Sequence, residues 1–217
     1  MDNPLPFPGL STSPSLRIGD AAPNFQARST TGPINLADYR GRWLVLFSHP
    51  GDFTPVCTTE FVAFARAADR FAQMGCDLMA LSVDSLYAHL AWVRAIRDHL
   101  GVEVRFPIVE DPTLVIGRAY GMVADNAADA CAVRTVFVID PAGIIRAMVC
   151  YPVEIGRSVD EIWRMVAALQ AADSKSGLAP EGWQPGQALL AIPEPSLDTV
   201  LASVDPLSWF LKEQADG

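Results

Sequence analysis

A continuous apolar run that leads directly into a turn and a helix start constrains this chain most. The run WLVLFS occupies residues 43–48, between Gly41 and the turn signal His49-Pro50-Gly51. Because its apolar residues do not alternate with polar ones, the run predicts a strand buried on both faces. Such a strand needs helices against its sheet, so we expect an α/β domain.

The residues after this turn predict a capped helix. Thr54 is expected to be the N-cap and Pro55 the first helical residue, with apolar residues between 61 and 72 recurring on one face. This spacing places Cys57 in the first turn, where free backbone N–H groups and the helix dipole favour a thiolate. Cys57 is therefore the candidate nucleophile; the alternative is a small buried hydrophobic residue.

Later patterns continue the alternation of strands and helices. Strand–helix–strand units give parallel strands and a hairpin gives antiparallel ones, so we expect a mixed sheet. The patterns are a strand at 77–84, a helix from the cap Ser85 to Gly101, a strand at 104–111, a short helix near 112–120, a hairpin of 135–140 with 144–151, and a helix from a Ser158/Glu161 capping box to about 172.

Composition divides the chain into three segments. Residues 1–17 contain four prolines and predict an extended N-terminal arm. Residues 18–172 carry the periodic patterns and predict one compact domain. Residues 173–217 contain five prolines, four glycines and isolated apolar islands, so we expect a C-terminal arm that packs on the domain or on a partner subunit.

Charge and cysteine content exclude several classes of function. Sixteen Lys and Arg against 25 Asp and Glu give a net charge of -9, which disfavours nucleic acid and anionic membranes as partners. The N-terminus lacks the features of a signal peptide, and the four cysteines form no C-x-x-C pair, so we expect a cytoplasmic location. The three histidines do not cluster with the cysteines in sequence, so we expect neither a metal nor another cofactor.

A thiolate that attacks a peroxide must displace hydroxide or alkoxide, so hydrogen-bond donors are needed near the departing oxygen. Thr54 supplies a hydroxyl one turn from Cys57. Arg134, at the mouth of the strand 135–140, supplies a fixed positive charge. Glu60, one turn after Cys57, is expected to orient this arginine by a bidentate contact.

These residues belong to a longer segment that resembles a known family. The stretch LADYRGRWLVLFSHPGDFTPVCTTEF is similar to the active-site segment of peroxiredoxins, whose P-x-x-x-[TS]-x-x-C signature is matched by Pro50, Thr54 and Cys57. The resemblance continues through SVDSLYAHLAW, RTVFVIDPAGIIRAMVCYP and GRSVDEIWRMVAAL, over about residues 17–172. It implies a thioredoxin-like fold and the reduction of hydrogen peroxide and organic hydroperoxides through a cysteine sulfenic acid, without metal or haem.

The resemblance also implies roles for individual residues. Cys57 would be the peroxidatic cysteine, Thr54 and Arg134 would hydrogen-bond the sulfur and the peroxide oxygens, and Pro50 would shield the sulfur from solvent. Arg157 is similar to a second arginine near the site, although it also precedes a helix start.

His49 either closes the turn or assists peroxide binding. His89 and His99 lie on a predicted helix and are interpreted as surface or packing residues.

The segment HPGDFTPVCTTE, the segment GRSVDE and a C-terminal arm of some 44 residues resemble the one-cysteine subfamily. No cysteine follows Cys150, so we expect an external thiol, either a small thiol or a thioredoxin- or glutaredoxin-type protein, to reduce Cys57. Cys76 and Cys150 are interpreted as core or interface residues. Cys131 follows the ADNAADA stretch and is retained as a less favoured resolving thiol. The family's assemblies imply a homodimer or a ring of dimers.

Two other functions remain open alternatives. A redox-regulated holdase or peroxide-signalling protein would use the same cysteine, and the apolar islands of the C-terminal arm are compatible with assembly. A disulfide oxidoreductase is disfavoured because Thr54 stands where a C-x-x-C pair needs its first cysteine. A G-x-S-x-G serine motif is absent from the sequence, so we predict no phospholipase activity.

Overall fold

A computed structural model describes residues 16–123, 133–194, 196–203 and 205–214, and strands and helices alternate through this part of the chain. The strands are β1 (Gln26–Ser29), β2 (Gly32–Asn35), β3 (Trp43–Ser48), β4 (Cys76–Ser82), β5 (Ile108–Glu110), β6 (Arg134–Ile139) and β7 (Ile145–Tyr151). The helices are α1 (Pro55–Gln73), α2 (Leu86–Leu100), α3 (Val115–Ala119), α4 (Val159–Lys175) and α5 (Leu197–Ala202), with a 3₁₀ turn at Leu36–Tyr39.

The strands form one mixed sheet in the order β2-β1-β5-β4-β3-β6-β7. Strand β3 pairs parallel with β4, and β4 with β5, whereas β6 pairs antiparallel with β3 and with β7. The prediction of an α/β fold with a mixed sheet is confirmed. Both β3 and β6 are buried at every residue, as expected for central strands that are covered on both faces.

Alternate residues of β3 contribute to two separate hydrophobic cores. Val45 and Phe47 pack with residues of α1, α2 and α4 on one face of the sheet. Leu44 and Leu46 pack on the other face with a cluster that includes Phe137. This two-residue period is the strand geometry expected of a sheet sandwiched between two layers. Packing on both faces holds the C-terminal end of β3, where the loop to α1 begins, between the two cores.

Helices α1, α2 and α4 begin where predicted, but the Thr54 side chain makes no capping hydrogen bond at α1 and the capping box at α4 is half formed. Ser85 accepts a hydrogen bond from Ala88 N, and α2 ends at Gly101 in the left-handed conformation with φ 66°. Ser158 accepts from the backbone N–H of Glu161, but the Glu161 carboxylate pairs with Arg164 at 2.6 and 2.7 Å. One half of the predicted capping box is therefore formed, because a cation on the next turn holds the glutamate side chain.

Three local expectations differ from the structure, the first being the strand predicted at 104–111, of which only β5 (Ile108–Glu110) forms. The short helix predicted near 112–120 is limited to α3, since Leu114 adopts a left-handed φ of 60° immediately before it. The strands β1 and β2 were not predicted, because four residues each, mostly polar or exposed, give no clear two-residue pattern.

The segment after α4 returns along the domain. Leu190 forms bridges with both Leu178 and Glu213, and Trp183 and Leu189 are buried. Beyond them, α5 has no buried residue. Within the described residues, no helix combines the length and apolar character needed to cross a membrane.

Candidate active site

Cys57 is the third residue of α1 and is fully buried, with 0% exposure. The helix starts where predicted, with Thr54 as N-cap at φ -90° and Pro55 at the first position. Phe53, directly before the cap, has a φ of +57°, a left-handed conformation that is uncommon for an aromatic residue. The loop therefore turns sharply and leaves the Cys57 sulfur at the positive end of the helix.

Arg134, the first residue of β6, reaches the sulfur from the neighbouring strand. Its Nη1 donates to Cys57 Sγ at 3.3 Å and to Glu60 Oε2 at 2.6 Å. Its Nε and Nη2 both donate to the carbonyl of Val153 at 3.0 Å. The guanidinium is thus anchored on two sides and presents a fixed positive charge to the thiol.

Glu60 is the shared acceptor of two buried arginines. Arg157 donates to Glu60 Oε1 from its backbone N–H and from Nε, each at 2.7 Å, and to Oε2 from Nη2 at 2.9 Å. Arg157 Nη1 donates to the carbonyls of Ser48 and Thr135. Burial opposes ionisation of Glu60, but hydrogen bonds and charge from Arg157, and then the charge of Arg134, hold its pKa below the usual range.

The bidentate partner of Glu60 differs from the prediction. We expected Arg134 to make the bidentate contact, but it makes a single bond, because Val153 occupies its other nitrogens. Arg157 makes the bidentate contact instead. The sequence resemblance had left the role of Arg157 open, and the structure places it in the network.

The charges of the two arginines and of Glu60 do not cancel within the network. Two guanidiniums and one carboxylate leave an excess of one positive charge in a buried region. An uncompensated buried charge is costly, so the site favours an anion beside Arg134. The Cys57 sulfur is the group in hydrogen-bond contact with that guanidinium.

Thr54 and Pro50 lie in the loop that precedes Cys57. The Thr54 hydroxyl donates its hydrogen to the carbonyl of Gly51 at 2.8 Å, which leaves its oxygen lone pairs as acceptors. No hydrogen bond joins this hydroxyl to Cys57 among the described contacts, so its predicted role toward the peroxide stays a prediction. Pro50 is half-buried between His49 and Gly51, and its shielding role likewise stays a prediction.

His49 is fully buried and hydrogen-bonded to a residue that the sequence reasoning missed. Its Nε2 lies 2.9 Å from Asp52 Oδ1, and His89 Nδ1 lies 2.7 Å from Asp52 Oδ2. Burial holds the pKa of His49 below its usual range, although the hydrogen bond to Asp52 opposes this shift. The ring packs on Phe61 and Trp92, with centroids 4.8 and 5.4 Å away.

Two family profiles match this sequence. The C-terminal domain of 1-Cys peroxiredoxin matches residues 168–204, and the AhpC/TSA family matches residues 18–148. The chain belongs to the AhpC/TSA family.

Relatives cover most of the chain. This chain is 48% identical over 201 residues to Peroxiredoxin 2 of Caldanaerobacter subterraneus subsp. tengcongensis, and the alignment covers 90% of this chain and 91% of the relative. It is 44% identical to Peroxiredoxin 2 of Thermoplasma acidophilum, with 90% and 98% coverage. A solved yeast mitochondrial 1-Cys peroxiredoxin has a TM-score of 0.81 at 38% identity and covers 91% and 98% of the two chains. A mutant of the Peroxiredoxin 6 of Arenicola marina has a TM-score of 0.78 at 33% identity, covering 86% and 88%.

These similarities confirm the resemblance to peroxiredoxins and the thioredoxin-like fold. The chain is therefore a thiol-dependent peroxidase.

The other cysteines of this peroxiredoxin occupy different environments. Cys76 lies in β4 with 2% exposure, and burial, followed by the charge of Asp77, raises its pKa to about 12. Cys150 lies in β7, is exposed, and has its sulfur 3.2 Å from Thr135 Oγ1. Cys57, Cys76 and Cys150 are all free thiols in the structure. Cys131 lies outside the described residues.

Sequence reasoning missed Asp52 and did not place His89. Asp52 follows His49 by three residues, a spacing that gives a weak local signal, and His89 is 37 residues further on. His89 was interpreted as a surface or packing residue; the structure places it in the interior with 0% exposure.

Proposed function

We propose that Cys57 reduces hydrogen peroxide and organic hydroperoxides and that an external thiol returns it to the reduced state. The observation that carries this proposal is the contact of Arg134 Nη1 with Cys57 Sγ, at 3.3 Å, in the first turn of α1. A fixed cation, a helix N-terminus and a buried excess positive charge all favour the thiolate, which is the reactive form.

In the first step the Cys57 thiolate attacks one peroxide oxygen. A sulfur–oxygen bond forms, the oxygen–oxygen bond breaks, and the leaving hydroxide or alkoxide takes a proton to become water or an alcohol. The positive charge of Arg134 stabilises the negative charge that develops on the departing oxygen. The Thr54 oxygen, having donated its hydrogen to Gly51, is available to accept a hydrogen bond from the peroxide. Cys57 becomes a sulfenic acid.

In the second step an external thiol attacks the sulfenic acid. A mixed disulfide forms with release of water, and a second thiol then frees Cys57 by disulfide exchange. Burial of Cys76 and its raised pKa disfavour that thiol as the resolving nucleophile. The similar yeast protein is described as resolved through glutathione and thioredoxin systems, which supports testing both reductants here.

We also propose that the protein is at least a homodimer, in which the C-terminal arm covers a partner subunit. Three apolar side chains of this segment support the proposal, because Ile192, Leu197 and Leu201 are 60%, 72% and 74% exposed. We further propose a cytoplasmic location, because cysteines stay reduced in that compartment.

Steady-state turnover tests the proposed cycle. Peroxide consumption is followed with hydrogen peroxide and with cumene hydroperoxide, in the presence of glutathione and glutaredoxin, of thioredoxin and its reductase, or of no thiol. We expect catalytic turnover with at least one external reductant and a single equivalent of consumption without one. Cys57→Ser abolishes turnover, whereas Cys76→Ser and Cys150→Ser retain it. Full activity of Cys57→Ser, or sustained loss of activity in Cys150→Ser, contradicts the proposal.

A further inference from the structure

A buried cluster of two histidines and one aspartate lies beside the proposed site and takes no part in the steps above. It consists of His49 directly after β3, Asp52 in the same loop and His89 on α2. The side chains of all three are at most 1% exposed. The second ring nitrogens, His49 Nδ1 and His89 Nε2, are buried and have no hydrogen-bond partner among the described residues.

The direction of the two hydrogen bonds follows from the charge of Asp52. Burial opposes its ionisation, but hydrogen bonds from His49 and His89 outweigh that effect and lower its pKa. An ionised carboxylate accepts hydrogen bonds and donates none. The proton of His49 therefore sits on Nε2 and that of His89 on Nδ1. Neither unpartnered nitrogen has an acceptor among the described residues, so an N–H group at either position would be buried without a partner.

The geometry of His49, Asp52 and His89 fits a hydrogen-bonded cluster better than a metal site. The three candidate ligand atoms lie within 4.8 Å of one another, which is compatible with a divalent cation. A metal on His49 Nε2 and His89 Nδ1 would move each proton to the opposite nitrogen. Metal-bound histidines normally donate that proton to an acceptor, and none of the described residues supplies one here. The cluster is therefore interpreted as a hydrogen-bonded unit.

The cluster connects the loop before Cys57 to helix α2. His89 holds Asp52, and Trp92, one turn further along α2, donates from Nε1 to Thr58 Oγ1 at 3.3 Å. Residues 52 and 58 lie on either side of Cys57 in the chain, so one face of α2 holds both ends of the segment. The backbone N–H of Asp52 also donates to Asp84 at 3.0 Å. Between these anchors Phe53 keeps its left-handed conformation.

We propose that Asp52 is a positioning residue: its carboxylate accepts one hydrogen bond from each histidine, and these two bonds fix the loop that delivers Cys57 to Arg134. Asp52 acts through the histidines and the loop and does not touch the sulfur. The kinetic part of this inference rests on the proposed reaction of Cys57, whereas the assignment of the ring protons does not.

Nitrogen-15 NMR of ring-labelled histidine tests the proton positions directly. We expect His49 to be protonated at Nε2 alone and His89 at Nδ1 alone, with the exposed His99 as an internal reference. In Asp52→Asn the amide offers one acceptor and one donor, so one ring must move its proton to the opposite nitrogen. Asp98→Asn makes the same chemical change at a surface position of α2 and leaves both rings unchanged.

Three results overturn the proton assignment. They are the opposite tautomers in the wild-type protein, unchanged tautomers in Asp52→Asn, and stoichiometric zinc in the purified wild-type protein, since a metal would occupy the nitrogens that we assign as donors.

The rate of reaction between Cys57 and hydrogen peroxide, followed by stopped-flow tryptophan fluorescence, tests the positioning role. We expect Asp52→Asn to react about tenfold or more slowly than the wild type, and Asp98→Asn to react at the wild-type rate. His89→Asn places an amide nitrogen near the position of Nδ1, so we expect its rate to stay within about twofold of the wild-type rate. His89→Leu offers no donor, so we expect it to react as slowly as Asp52→Asn.

The His89 pair decides the test if Asp52→Asn fails to fold, as judged by circular dichroism and thermal unfolding. Folded Asp52→Asn and His89→Leu proteins that react as fast as the wild type overturn the positioning role. Failure of the wild type itself to react at Cys57 would instead overturn the proposed function and leave the NMR result standing.

Discussion

Replacing Glu60 with glutamine removes the carboxylate that joins the two buried arginines of the site. Each oxygen of Glu60 accepts two hydrogen bonds: Oε1 from the backbone and Nε of Arg157, and Oε2 from Arg157 Nη2 and Arg134 Nη1. A glutamine side chain keeps one acceptor and turns the other into a donor. Two arginine N–H groups would then face an N–H group, and two guanidiniums would lose their shared counter-ion.

The expected loss of stability follows from this geometry. The side chains of Glu60, Arg134 and Arg157 are at most 3% exposed, so solvent does not screen the loss of the Glu60 charge. Removing one partner of a buried ion pair typically costs about 3–5 kcal/mol of unfolding free energy. Glu161→Gln is a matched control, because the Glu161 side chain is 48% exposed in its pair with Arg164. We expect that variant to lose less than about 1 kcal/mol.

Urea unfolding at pH 7, followed by tryptophan fluorescence, measures both variants. The prediction is a lower midpoint for Glu60→Gln at an unchanged dependence on urea, with a much smaller change for Glu161→Gln. If the two variants lose the same stability to within about 1 kcal/mol, the buried network does not depend on the Glu60 charge and the reasoning is refuted.

Three further predictions concern the same site and the C-terminal arm. The pKa of Glu60 in the folded protein lies below its unfolded value near 4.5, so the ionised carboxylate stabilises the fold fully above that pH and this stabilisation is lost as the pH falls through the folded pKa. The urea midpoints of the wild type and of Glu60→Gln should therefore converge on acidification. A constant difference between the two midpoints argues against the lowered pKa. Arg134→Lys keeps the positive charge but loses the two hydrogen bonds to Val153, so oxidation of Cys57 by hydrogen peroxide, followed by stopped flow, should slow by about tenfold or more. Oxidation at the wild-type rate would show that the positive charge alone suffices for this reaction. Leu201→Asp should shift the sedimentation mass toward the monomer while Leu100→Asp, on α2, leaves it unchanged; equal masses would show that α5 does not cover a partner.

The local parts of the site could be predicted from sequence because their signals are local. The WLVLFS run and the Thr54-Pro55 cap fix β3 and the start of α1, and together they place Cys57 in the first helical turn. Arg134 could be placed because it begins an apolar strand and matches the family pattern. The strand β3 and the start of α1 depend on neighbours within a few residues of the chain, whereas Arg134 was placed by the family pattern.

Contacts between distant residues could not be predicted in the same way. The division of Glu60 between Arg134 and Arg157 depends on how β6, α1 and the start of α4 meet, over separations of 74 and 97 residues. The link from Asp52 to His89 depends on the packing of α2 beside the loop. The hydrogen bond from the Thr54 hydroxyl to Gly51 is local, but it accompanies the left-handed conformation of Phe53, which no sequence pattern indicated.

Trapping of the oxidised sulfur tests the central claim most directly. The reduced protein is treated with one equivalent of hydrogen peroxide in the presence of a sulfenic-acid reagent, and the modified peptide is identified by mass spectrometry. We expect an adduct confined to Cys57, with no disulfide to Cys76, Cys131 or Cys150. A disulfide from Cys57 to one of these cysteines would contradict resolution by an external thiol, and an unmodified Cys57 would contradict the assignment of the peroxide-reactive residue itself.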